Sequence, residues 1–100
     1  MSATGDVLRV ELEAMGPAGI ALAESLGQET RRSLELSAAA WREAQAAGDV
    51  VAGGQTVLRA ARKLRLIAAV HEEAGVAMVL SALERIGGVA LKLALAAALA

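Results

Sequence analysis

The sequence predicts an all-α protein, and three observations carry that prediction. Hydrophobic residues make up 56% of the 100-residue chain, and alanine supplies much of that share; it joins the highest helix propensity to little buried area. Apolar positions recur at steps of three and four along most of the length, the spacing of one helix face. There is one proline, and strand-forming residues other than valine are scarce. A chain this short forms one domain and buries only about 60–65% of the surface its unfolded form exposes.

From Asp6 the pattern Leu8, Leu12, Met15 reads as a short helix over 7–15. "MGPAG" interrupts it, with Pro17 suited to open the next helix as its first residue. That second helix is expected over 17–47. Gly27 and the polar run "GQETRRS" mark either a loop or the exposed middle of a long helix. Leu34 and Trp41 then stand seven apart on one face. "AAGDVVAGG" is the strongest break in the chain: Gly48 fits a left-handed helix end, and Asp49 suits the cap of the helix that follows.

The third helix is expected over 50–86. Val57, Ala61, Leu64, Ala68, His71, Gly75 and Met78 form its stripe, and Arg59, Arg62 and Lys63 fall away from it. Gly87-Gly88 ends or bends that helix before a last segment over 88–100. The preferred architecture is an antiparallel hairpin of two long helices turning at Gly48, flanked by short helices. A four-helix bundle with loops near Gly27, Gly48 and Gly75 is the alternative.

Net charge is −1, which excludes general polyanion binding as the main activity. The charge is nonetheless uneven. Residues 1–49 hold eight acids against four arginines, and residues 50–100 hold six bases against three acids, so the halves are expected to lie against each other. Without cysteine there is no disulfide and no thiolate metal site. The N-terminal sequence "MSATGDVLRVELE" lacks the basic start and apolar run of a cleavable signal. "GGVALKLALAAALA" is apolar but shorter than the roughly 20 residues a spanning helix needs, and Lys92 interrupts it. A transmembrane span is not expected.

Chemistry-bearing constellations are sparse. His71 is the only histidine; on an apolar helix face with small neighbours it is either a structural histidine or an axial ligand to haem or another metalloporphyrin. "HEEAG" lacks a Glu three residues before the histidine and is not a di-metal motif. Glu72 and Glu73 are expected to solvate a helix end. "RAARKLR" has no stacking aromatics and reads as a solvated face or a partner-pairing face, not a nucleic-acid site. No catalytic residue and no metal-ligand set is assigned, and no enzyme activity is expected.

Trp41, the only aromatic residue, draws attention to a family. "VLRVELEAM", "SLELSAAAWREAQAAG" and "HEEAGVAM" together resemble the WXG family of small type VII (ESX) secretion substrates, over about three quarters of the chain. The resemblance implies a helical hairpin that pairs with a second hairpin, and export without a cleavable signal from the cytoplasm. Two departures stand out. Glu43 occupies the position of the family's turn glycine, and Met78 and Ala82 stand where the export signal has a tyrosine and an acid. The resemblance therefore implies export with a partner that carries the signal.

Under this reading the chain is a non-enzymatic helical interaction protein acting as a dimer or heterodimer. The partner is expected along Leu34, Trp41, Leu64 and Met78, with the Trp41 ring packed near the turn against Ala38, Ala44 and Val50–Val51. A haem-binding bundle through His71, natural or designed, is the second reading. A small structural subunit of a larger assembly is the third.

Overall fold

The computed structural model describes residues 6–100, and the protein is all-α. Five helices follow one another: α1 (Asp6–Glu13), α2 (Pro17–Ala47), α3 (Val50–Val70), α4 (Glu73–Gly87) and α5 (Val89–Leu99). Among the described residues there is no strand.

Local chemistry places three of the four junctions. Pro17 opens α2 directly after Gly16. Here α2 turns so tightly over the end of α1 that a Cβ at Gly19 would overlap the Leu12 carbonyl. Gly48 sits at φ 67°, ψ 23°. Its N–H donates to Gln45 O at 3.2 Å and the Asp49 N–H to Ala44 O at 2.9 Å, a Schellman arrangement that satisfies the last carbonyls of α2. Asp49 then caps α3, its carboxylate accepting from the Ala52 N–H at 3.0 Å. One residue thus closes one helix and opens the next. Gly88 separates α4 from α5.

The fourth junction has no glycine or proline. The helix expected over 50–86 is two helices, because His71 (ψ 152°) and Glu72 (ψ 167°) are extended. Tertiary packing overrides the local pattern here. A helix running straight on would carry its second half away from α2, whereas the break brings Gly75 beside Leu22 and lets Val79, Ala82 and Leu83 become fully or almost fully buried. The sequence assists: Val70 and His71 are middling helix formers, and Glu72 and Glu73 are better placed at the positive start of α4 than at the negative end of α3. Gly27 interrupts α2 at φ 79°, ψ 160°, so that helix is kinked within its polar stretch.

The helices form two layers. Helices α2 and α3 run antiparallel. Helix α4 packs on α2 in the same direction, since Gly75 lies by Leu22 and Gly87 by Ala38. Helix α5 returns beside α3, and α1 packs against α2 and α4. The principal extents of 38 × 35 × 20 Å describe a slab whose thin dimension is that of two stacked helices. The radius of gyration is 12.6 Å, the value of about 13 Å expected for a compact 100-residue domain.

Between the layers lies the core: Leu8, Leu12, Leu34, Leu64, Val79, Leu83, Leu91 and Leu95 are fully or almost fully buried. This changes the place of the stripe expected to meet a partner. Leu34 and Leu64 are at 0% exposure and Trp41 at 9%, because α1, α4 and α5 fold back and cover that side of the hairpin. Met78 is half-buried against the same core. The Trp41 ring leans on Gly53, whose absent Cβ would stand 3.5 Å from it. Val50 and Val51, expected beneath the ring, are exposed.

The halves of opposite charge meet chiefly through apolar contact. Arg85 and Glu11 pair across them at 3.0 Å, but Arg9–Asp6 and Lys92–Glu84 lie within one half each. Exposed pairs of this kind are worth about 0–1 kcal/mol.

A buried polar pair went unread in the sequence. Arg31 and Glu35 stand one turn apart on the buried side of α2, at 8% and 7% exposure. The Glu35 carboxylate accepts the Leu8 N–H in the first turn of α1, where helix N–H groups lack partners and negative charge is favoured. Arg31 donates to the Ala23 carbonyl, reaching back across the kink. The charged side chains thus fasten α1 to α2 and span the break at Gly27.

Candidate interaction surface

A two-layer slab leaves each helix one uncovered side. For α2 and α3 these sides adjoin and make one continuous face. On α3 the covered positions are Gly53, Val57, Ala60, Leu64 and Ile67. Half a turn away stand Val51, Leu58, Arg62, Leu66 and Ala69, all exposed. Leu58 is 55% exposed and Leu66 65%. On α2 the matching row is Glu29, Arg32, Leu36 and Glu43, with Leu36 at 49%. Large apolar side chains are therefore left in solvent on this face, while Leu34 and Leu64 on the opposite side of the same hairpin are at 0% exposure.

Beside the α2 row lies an open groove of about 500 Å³, lined by Arg32, Ser33, Leu36, Ser37 and Ala40 of α2 and by Arg59 of α3, with Glu29 at one edge. Leu58 and Leu66 stand on the same side of the hairpin outside that lining. The small residues Ser33, Ser37 and Ala40 line its α2 side. The Ser37 hydroxyl donates to Ser33 O at 3.0 Å, and on α3 the buried Thr56 hydroxyl donates to Ala52 O at 2.9 Å. Both are satisfied on their own helices. The small residues on its α2 side admit a helix at short interaxial distance.

The electrostatics of this face are lopsided. Between Val50 and Val70 there is no acid, while Arg59, Arg62, Lys63 and Arg65 fall within seven residues. Arg65 donates to the Ala98 carbonyl at 2.6 Å, placing a cation at the negative end of α5. Arg59, Arg62 and Lys63 enter no ion pair among the described residues. The sequence showed the basic cluster and its position off the apolar stripe. It did not show that Leu58 and Leu66 share its exposed side, because the apolar stripe of the sequence runs through Leu64.

His71 stands elsewhere, at the break between α3 and α4. Its Nε2 shares a 3.2 Å hydrogen bond with the Ser25 hydroxyl, which ties the end of α3 to α2. Open grooves flank the ring, one lined by Leu26, Thr30, Leu66 and Val70, the other by Ala18, Leu22, Gly75 and Met78. Axial ligation would require Nε2 to leave Ser25. Among the described residues no group of three or more His, Cys, Asp or Glu side chains is placed to hold a metal ion. No helix among them is long and apolar enough to cross a membrane.

An apolar groove also runs between α3, α4 and α5, formed by Ala68, Val76, Ala77, Leu80, Ala96 and Leu99, with Arg65 and Glu73 at its rim. Comparison with known proteins finds no matching family model, no matching curated protein and no matching solved structure.

Proposed function

We propose that the protein is a non-enzymatic helical interaction protein whose working surface is the open side of the α2–α3 hairpin. One observation carries this reading: Leu36, Leu58 and Leu66 remain about half exposed or more on one side of the hairpin, where Leu36 borders a groove with Ser33, Ser37, Ala40 and Arg59, while the opposite side of the same hairpin is closed by three helices. A helix laid there makes a third layer and covers all three leucines. The need for a partner foreseen in the sequence is thus assigned to the other side of the hairpin from Trp41, Leu34 and Leu64.

The resemblance to the WXG family extends the proposal to pairing with a second hairpin and export in its company, without a cleavable signal. The antiparallel α2–α3 pair turning soon after Trp41 supports that extension.

Photo-crosslinking residues at positions 36 and 58, with a control at position 93 on α5, test the surface. The expected result is a discrete adduct from 36 and 58, with a second copy or with another protein, that disappears in Leu36→Glu/Leu58→Glu protein of unchanged helicity. A chain that stays monomeric to millimolar concentration and gives no discrete adduct from either position refutes the proposal.

A further inference from the structure

Resting on that reading, we infer that the occupant of the groove is an amphipathic helix of a different protein, whose flank toward α3 is acidic. Charge names it. On the α3 side Arg59 lines the groove and Arg62 and Lys63 flank it, all three with no ion-pair partner among the described residues, and no acid lies between Val50 and Val70 to temper them. Burying Leu58 and Leu66 brings these cations toward a region of lower dielectric, where an unmatched charge is costly and a matched one becomes stronger. A partner with glutamates or aspartates along that flank removes the penalty.

The α2 wall sets the other flank. Glu29 and Glu43 stand on the same exposed row as Arg32 and Leu36, so the partner's α2-facing edge is neutral or mixed. The occupant therefore has a leucine-type stripe with acids on one side of it.

A second copy fits poorly. Its own face carries Arg32, Arg59, Arg62 and Lys63 against only Glu29 and Glu43, so two copies set face to face add like net charge, which opposes association whichever helices meet. An anionic membrane surface is disfavoured for two reasons. The site is a concave groove between helices, and Glu29 and Glu43 would face the lipid phosphates. No aromatic residue stands on the face to stack a nucleic-acid base.

Three probes, each read by fluorescence anisotropy or sedimentation against the full chain, test the inference. The first is a helical peptide of about 20 residues, matched to the length of α3 at 1.5 Å per residue, with a leucine stripe and glutamates along one flank. The second carries lysines in place of those glutamates. The third is a vesicle of mixed phosphatidylserine and phosphatidylcholine.

The glutamate peptide is expected to bind about tenfold or more tightly than the lysine peptide, with the preference reduced at high salt. In Arg59→Glu/Arg62→Glu protein, whose substitutions are both exposed and leave the core intact, the order reverses. Equal binding of the two peptides, still lost in Leu36→Glu/Leu58→Glu protein, overturns the acidic partner and leaves the proposed surface standing. Binding to vesicles but to neither peptide overturns the inference in favour of a lipid surface. Binding to none of the three overturns both the inference and the surface it rests on.

Discussion

One substitution, glycine to alanine, has opposite consequences at Gly19 and Gly54, and the contrast tests the packing directly. Gly54 is exposed in the second turn of α3, and a Cβ built there meets nothing within 4 Å. Alanine keeps the helix and restricts the unfolded chain, so Gly54→Ala should stabilise by about 0.5–1 kcal/mol. In a domain of this size that raises the melting temperature by about 2–8 °C. Gly19 is buried where α2 passes over the end of α1, and its added Cβ would overlap backbone, the Leu12 carbonyl and its carbon. A side chain can swing aside, but a carbonyl fixed in a helix end cannot. The corner must open, loosening Leu8 and Leu12, both at 0% exposure. Gly19→Ala should therefore destabilise by about 2–4 kcal/mol, in the range of overpacking combined with partial loss of buried leucines. Urea unfolding followed by circular dichroism at 222 nm and by Trp41 fluorescence reads both variants. A Gly19→Ala midpoint at or above that of the parent would refute the described α1–α2 corner, whatever Gly54→Ala does.

Three further outcomes follow from named contacts. Trp41→Ala removes a ring at 9% exposure and should lower unfolding free energy by about 3–5 kcal/mol; an unchanged denaturation midpoint would place the ring in solvent. Asp49→Ala deletes the carboxylate that accepts from Ala52 N–H and should cost about 1 kcal/mol, with Asp49→Asn recovering most of it. Glu35→Ala strips Leu8 N–H of its buried acceptor and should cost about 2–3 kcal/mol; hydrogen exchange should accelerate in α1 before it does in α3, and uniform acceleration would contradict the fastening role.

The junctions at Pro17, Gly48–Asp49 and Gly87-Gly88 were legible in the sequence because residue chemistry decides them locally. A ring that fixes φ, a glycine free to adopt positive φ and a carboxylate that caps need no distant partner. The break at His71–Glu72 was not legible for the opposite reason. Nothing in "AAVHEEAG" forbids a helix, and what bends the chain there is the contact of α4 with Leu22 and the burial of Val79 and Leu83 far along the sequence. Gly27 lay between these cases: its polar neighbours fit an exposed helix or a loop, and the structure gives a kink. Arg31 and Glu35 were hidden by their type. Charged residues four apart read as a solvated pair, and only the arrival of α1 shows that Glu35 lies beneath a helix end.

The proposed surface was displaced in the sequence reading for a reason that bears on small helical proteins generally. Leu34, Trp41 and Leu64 were expected to face a partner because two helices alone cannot cover so wide an apolar stripe. That premise holds, but the same chain supplies the cover in α1, α4 and α5. Once it does, the hairpin's other side becomes the exposed one, and Leu36, Leu58 and Leu66 stay uncovered there. The count of apolar residues thus says that the hairpin wants a cover, while only the direction in which α4 folds back says which side receives it. A break at His71 that sent α4 over Leu36 and Leu58 would have buried the groove beside Arg59 and Arg62 and left Leu34 and Leu64 open. The choice between those two faces is made at two extended residues, so restoring helix there should carry α4 off the Leu34–Leu64 side; new adducts would then appear at 34 and 64 while those from positions 36 and 58 persist.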